Sequence, residues 1–474
     1  DRLARQVGGT GGAERLGGSG PALLPGNLER LRKEAAKDVI ANGRSATQMP
    51  GFAKELAEAD IQGLVDFVYA QPETAPRWNL ADIRSSRIEH VAALKPGQKP
   101  IFDADPLNLF VVVEAGDHHV TILDGDKLEP IARFATRYAL HGGPKFSPDG
   151  RYVYFASRDG WVSKYDIYGL QMVAEVRAGI NTRNLAVSSD GRYVAVGNYL
   201  PHTLVILSAT DLGPLKVIDV GDRNGKSSRV SAVYDAAPRR SFVAALKDIP
   251  EVWEITYDDN AAPVYEGMVH DYRLGEGIAA VGPFPVRRIE IEDYLDDFFF
   301  DQSYDNVIGA SRDATQAQVV NLNVRRKIAS LALPGLPHLA SGITWTREGR
   351  TVMGTPNLKQ SVVSVIDMKS WKSVAQIATL GPGFFLRGHE NSRYLWVDNF
   401  NSKANDALQV IDKQSLEVVA TLRPAPGKTA AHVEFTRDGK YALASIWDMD
   451  GAIVVYDANT LKEVKRIPMK KPSG

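Results

Sequence analysis

Phe146–Ile167 reads FSPDGRYVYFASRDGWVSKYDI, and the same pattern returns as VSSDGRYVAVGNYLPHTLVIL at Val187–Leu207 and as FTRDGKYALASIWDMDGAIVVYD at Phe435–Asp457. Each copy is an Asp-Gly turn, a short run rich in Tyr, Val and Ala, a second turn, a second apolar run and a polar return. Glycine after aspartate supplies the positive φ that a tight hairpin needs, and β-branched and aromatic residues suit strands buried between neighbours. Degenerate copies stand at Asp105–Gly125, Asp235–Ile255, Tyr304–Asn323, Thr346–Asp367 and Glu390–Asp412, which makes about eight. The period is that of a four-stranded blade of roughly 40 to 50 residues, so the sequence predicts an eight-bladed, all-β propeller. These repeats build blades and by themselves carry no activity.

Ahead of the repeats the period is helical. NLERLRKEAAKDVI places Leu28, Leu31, Ala35 and Ile40 near one face, and FAKELAEADIQGLVDFVYA does the same with Leu56, Ile61, Leu64 and Phe67. Pro72 and Pro76 in AQPETAPRW break this period. The reading is a small all-α domain over residues 1–75 followed by the propeller over 76–474.

A formal net charge of -1 over 474 residues gives no field that would hold a nucleic-acid backbone or an anionic membrane surface. No apolar run reaches the roughly 20 residues of a membrane span, and no charged segment followed by an apolar one opens the chain. A soluble protein is expected. The absence of cysteine excludes disulfides and thiolate chemistry. GxSxG, P-loop and HExxH motifs are absent, and the opening glycine string has no preceding strand that would make it a dinucleotide loop.

A propeller gathers the loops of all its blades around one axis, so residues far apart in sequence can converge there. Four of the nine histidines stand near a blade start: His141 in ALHGGPKFSPDG, His338 in GLPHLASGITWTREG, His389 in LRGHENSRYLW and His432 in AAHVEFTRDG. His141, His338 and His432 share a position a few residues ahead of the turn that opens a blade. Arg133, Arg137, Arg158, Arg183 and Arg229 fall at strand ends, and Tyr199 closes the run VAVGNYL. Any one of these is ordinarily a strand cap or a solvated cation; together they would suit a ligand with several carboxylates and a metal that takes imidazole, a haem-like tetrapyrrole.

RYALHGGPKFSPDGRYVYFASRDGWVSKYDIYGL and AGINTRNLAVSSDGRYVAVGNYLPHTLVIL, behind a helical domain, resemble the cytochrome cd1 family over nearly the whole chain. The resemblance implies a cytochrome c-like first domain, a haem d1-binding propeller and a periplasmic location. Within the family the likeness is strongest to the branch that completes haem d1 during its biosynthesis, oxidising a propionate of dihydro-haem d1 to an acrylate; a haem d1 carrier and a nitrite reductase are the alternatives. Implied partners are the tetrapyrrole, a nitrite reductase that receives haem d1 and a small electron-transfer protein. By the matching motifs, His141 corresponds to the iron ligand, and His338 to a distal-face histidine, itself a possible iron ligand or catalytic group. Arg158 and Arg183 correspond to clamps on the carboxylates, and His432 to a catalytic histidine. Arg133, Arg137, Arg229, Tyr199 and His389 are further candidates for binding. Where nitrite-reducing members carry a second distal histidine, FFFDQSYDNVIGASRD offers Asp301 or a neighbour.

The family also carries haem c on a CxxCH segment ahead of a loop like RLGGSGPALLP (Arg15–Pro25), with the Met of ATQMPGF, Met49, as axial ligand. Val7-Gly8-Gly9-Thr10-Gly11 stands in that place here. With no thiol for a thioether and no histidine for the iron, covalent haem c is not expected, and Met49 would be its ligand only if haem c were present.

Overall fold

Eight antiparallel sheets follow one another around an axis in this computed structural model, seven of them four-stranded and that of blade 2 extended to five by Ile88–Glu89; the described residues are 15–17, 22–28, 31–43, 51–73, 76–91, 97–266, 278–280, 282–311 and 316–473. The innermost strands of blades 2 to 8 are Lys145–Phe146, Asn181–Val187, Val230–Ala236, Asp297–Phe300, Ile343–Arg347, Leu386–Gly388 and Ala430–Phe435. Blade 1 borrows its innermost strand from the far end of the chain: Pro472–Ser473 pairs with Leu109–Glu114, through Glu114↔Pro472 and Val113↔Ser473. That pairing closes the ring.

The Asp-Gly turns behave as their sequence requires. Gly150, Gly191 and Gly439 have φ of 71°, 71° and 74° and join the first strand of a blade to the second. The third strand of blades 2, 6, 7 and 8 ends at Asp166, Asp367, Asp412 and Asp457, whose carboxylates accept backbone N–H groups of the turn that follows. Between blades 2 and 3 the packing is largely aliphatic: Val194, Val196, Val205 and Leu207 are fully buried against neighbours from blade 2. Each such side chain contributes about 1.5–3 kcal/mol on leaving water.

Because the strands alternate in direction, the loops fall on two faces. The connections into each blade and the turns between second and third strands share one, here the upper face; the turns between first and second strands lie on the other.

Among the described residues, the part ahead of the propeller shows short helices, Lys33–Asn42 and Glu58–Tyr69 being the longest. In Glu58–Tyr69 the buried residues are Ile61, Leu64, Val65 and Val68, a true i, i+3, i+4, i+7 stripe. Phe67 falls about 120° from Ile61 at 100° per residue and stays outside, beneath the Arg15 guanidinium 4.9 Å from its ring. Likewise Ala36, not Ala35, is the buried residue of Lys33–Asn42. The N-terminal segment lies across blades 2 and 3: Ala22 and Leu24 pack on Ile180, Arg177 donates to the Leu16 carbonyl, and Trp78 Nε1 donates to the Arg177 carbonyl at 2.7 Å.

Candidate functional site

His141 enters the upper face just before the inner strand of blade 2. Its own N–H bonds the Ala156 carbonyl at 2.8 Å, which fixes the backbone against the next strand. Gly142 and Gly143 follow with φ of 86° and 72°. A Cβ at Gly142 would fall 2.6 Å from Asn184 Cβ, so only glycine lets the chain turn here against blade 3. The ring is then aimed by one bond: Nδ1–H donates to the Arg183 carbonyl at 2.7 Å. Nε2 is therefore the lone-pair nitrogen, and it accepts from Arg158 Nη2 at 2.9 Å. An imidazole whose N–H is tied to a carbonyl presents its other nitrogen as the one able to take a metal.

Cations surround this imidazole. Arg183 extends along the inner strand of blade 3 and reaches Asp297 of blade 5 at 3.5 Å, and Asp297 in turn accepts from Tyr234 Oη at 2.9 Å. Tyr199 stands between two guanidinium groups, Arg158 at 5.8 Å and Arg229 at 5.7 Å from its ring centre. Arg229 is also held by Asp248, Nε to Oδ2 at 2.9 Å. Deeper on the axis, Lys145 donates to the Gly142 carbonyl at 2.8 Å; burial, then Arg183 and Arg387, bring its amine down to about 8.

Blades 6 to 8 furnish the same face differently. His338 opens blade 6, and its Nδ1–H donates to the Phe384 carbonyl at 2.6 Å, with Ser341 Oγ 2.8 Å from the same nitrogen. Burial lowers its pKa, so the imidazole is neutral at neutral pH. The Phe384 and Phe385 rings lie 4.4 and 5.9 Å from it. His432 sits inside the inner strand of blade 8 at a bulge, between Ala431 and Val433, with φ of 52°. A positive φ on a non-glycine strand residue is strained, and the bulge re-aims its side chain. Its Nδ1 is 2.7 Å from Ser473 Oγ of the closing strand, and the Phe385 ring meets it edge-on at 3.5 Å. Phe385, His432, Ser445, Trp447 and Ser473 line a small cavity, into whose wall the Trp447 Nε1 is buried without a protein partner.

Among the described residues no three or more histidine or acidic side chains cluster so as to hold a metal ion. The sequence of residues 104–270 and 278–474 matches the model of the cytochrome D1 heme domain. The chain belongs to that family. A dihydro-heme d1 dehydrogenase of Pseudomonas aeruginosa is 56% identical over 464 residues, which cover 98% of this chain and 90% of the relative. Protein NirF of Stutzerimonas stutzeri is 30% identical over 77% of this chain and 90% of its own. The solved structure of dihydro-heme d1 dehydrogenase NirN in complex with DHE superposes with a TM-score of 0.89 at 55% identity, covering 100% of this chain and 97% of that one.

On this cytochrome D1 heme domain, His141, Arg158, Arg183, Tyr199 and Arg229 come together on blades 2 to 4, and His338 and His432 share the blade 6 to 8 side. Three candidates stand elsewhere. Arg133 is bound to Glu114 at 2.8 Å and Asp117 at 2.7 Å on the outermost strand of blade 1. Arg137 grips both oxygens of Glu175 at 2.8 and 2.9 Å and stacks on Trp161. His389 follows the inner strand of blade 7 instead of preceding it, so it lies in the turn of the lower face, where its Nδ1 accepts from Asn391 N–H at 3.2 Å. Asp301 is also in a lower-face turn, accepting from Asn306 N–H at 3.0 Å; Asp296 and Asp297 are the acids at the upper end of blade 5. Met49 and Val7–Gly11 lie outside the described residues. The sequence has no cysteine for the thioether of a covalent haem c, and its first histidine is His90. Sequence reading missed Phe384, Phe385, Asp297, Lys145, Asp398, Trp447 and Ser473; Phe384, Phe385 and Ser473 meet the two histidines only through neighbouring blades.

Proposed function

We propose that this chain is a dihydro-haem d1 dehydrogenase, oxidising –CH2–CH2–COO⁻ of a substrate propionate to –CH=CH–COO⁻ in the completion of haem d1. The observation that carries this reading is the His141 ring, with Nδ1–H tied to the Arg183 carbonyl and Nε2 left as the accepting nitrogen, on the same face as two further imidazoles. His141 ligates the substrate's iron, and Arg158 and Arg183 hold macrocycle carboxylates by charge-assisted hydrogen bonds. Tyr199 and Arg229 extend that cationic wall.

The reaction releases two protons and two electrons. His432 takes one proton, with Ser473 Oγ available to its Nδ1–H when the ring becomes cationic, and neutral His338 offers a second acceptor on the same side. Fixing the propionate against these bases converts an encounter into a positioned reaction. The electrons pass to a small electron-transfer protein outside the chain, since the sequence has no cysteine for a covalent haem c. The helical segment, cytochrome c-like in its RLGGSGPALLP loop, then serves as a cover over blades 2 and 3, an assignment supported by the contacts of Leu16, Ala22 and Leu24. Haem d1 leaves for a nitrite reductase, in the periplasm; fractionation of expressing cells tests the location.

The functional test is anaerobic titration with dihydro-haem d1, followed by an artificial electron acceptor. A bound spectrum that converts to that of haem d1, with loss of two hydrogens by mass, is expected. Binding without conversion would make the chain a carrier, and no binding would end the reading.

A further inference from the structure

His338 and His432 stand on different blades, yet both lean on the two residues that open the inner strand of blade 7. Phe384 takes the His338 N–H on its carbonyl, and the Phe385 ring abuts His432. A single carboxylate fixes these two residues. Asp398 ends the neighbouring strand Tyr394–Asp398 and turns its side chain inward. Oδ1 accepts Phe384 N–H at 2.7 Å and Phe400 N–H at 3.1 Å, and Oδ2 accepts Phe385 N–H at 2.8 Å.

Asp398 is 1% exposed, and a carboxylate so buried is tolerable only with its hydrogen bonds made. Gly383 lets the segment come this close, for a Cβ there would fall 2.6 Å from the Asp398 carbonyl oxygen. Asn399 adds a second tether, accepting Gly381 N–H at 2.9 Å and donating to the Ala407 carbonyl at 3.0 Å. The Phe384 carbonyl faces His338 while the adjoining N–H groups turn toward Asp398.

We propose that Asp398 is a positioning residue of this site: by holding the Phe384–Phe385 turn it sets the tautomer of His338 and the ring orientation of His432. The proposal rests on the dehydrogenase reading for its effect on turnover, but not for its effect on the histidines. Asparagine keeps one acceptor and turns an NH2 toward the other amide, so Asp398→Asn frees one of the two N–H groups without removing bulk.

Two measurements test it. In single turnover of bound dihydro-haem d1 with an artificial acceptor, Asp398→Asn should slow conversion about tenfold, the scale of one lost charge-assisted hydrogen bond, at unchanged affinity for the substrate. Asp412→Asn is the control, since Asp412 is 2% exposed in the same blade and caps the lower-face turn through Gln414 and Ser415 N–H at 2.9 and 3.0 Å. It should lose stability and keep its rate. Parental conversion by Asp398→Asn, or equal slowing by both variants, would overturn the proposal. Nitrogen-15 imidazole spectra of the substrate-free protein should show His338 as a single Nδ1–H tautomer in the parent and a mixture in Asp398→Asn. An unchanged tautomer would overturn it too, and this second reading stands even if the parent binds without converting, an outcome that would end the dehydrogenase reading alone.

Discussion

Blades 2 to 4 and blades 6 to 8 present the same kind of inner strand to the same face, yet they furnish it with different chemistry. The first group brings an imidazole backed by a carbonyl and a row of guanidinium groups around Tyr199. The second brings two imidazoles set among phenylalanine rings, with the buried Asp398 and the Arg387–Glu434 pair at 3.0 Å among its charged groups. Guanidinium groups recognise carboxylates wherever they are; an apolar wall keeps an imidazole neutral and able to accept a proton. In the function proposed above, the first side binds and the second carries the chemistry.

Substitutions on the two sides are expected to fail differently. The largest effect belongs to the chemical side: His432→Ala should bind dihydro-haem d1 nearly as the parent does and convert it about 10² to 10⁴ times more slowly. Full conversion would return His432 to a purely structural part. On the binding side, Arg158→Ala should weaken affinity about tenfold to a hundredfold, as expected for a lost charge-assisted contact, with the rate at saturation little changed; titration by visible spectrum reads both. A collapse of the saturated rate at parental affinity would break the comparison.

Gly142→Ala sharpens it from the backbone. The added methyl meets Asn184 at a φ of 86°, so the variant should lose about 1–3 kcal/mol in denaturant unfolding and shift the bound spectrum as His141 is displaced.

The smallest effect concerns pH. Burial raises the Asp398 carboxyl to about 6 despite its three N–H donors and the nearby Arg387. Its unfolded value is about 3.9, so the folded protein binds the proton more tightly. The resulting stability is fully present below the unfolded value and is lost as pH rises through about 6. Unfolding midpoints at pH 7 and 5 should show the parent gaining about 1 kcal/mol over Asp398→Asn on acidification.

The propeller was legible because its information is local. An Asp-Gly pair needs its turn wherever it stands, and Gly150, Gly191 and Gly439 have it. The site was half legible for the same reason. His141 and His338 precede inner strands and reach the upper face by position alone, and the glycines behind His141 announce a close approach. His389 misled because a histidine beside a blade's first strand can precede or follow it, and only register separates the two faces. Asp398 could not be seen, since its carboxylate bonds residues 13 and 14 positions away across a hairpin whose turn gives no sign of them. Phe67 shows the same limit in the helices, where a pattern loose enough to admit it also admitted the wrong stripe.

The ring resembles a belt whose buckle is Pro472–Ser473 fastened to Leu109–Glu114. Ser473 does two jobs there, pairing with Val113 through its backbone and with His432 through its hydroxyl. The two contacts are thus one event: a propeller that springs open between blades 8 and 1 also parts the Ser473 hydroxyl from the His432 imidazole. Loosening the ring there reaches the His432 side of the face before the chain has lost a blade.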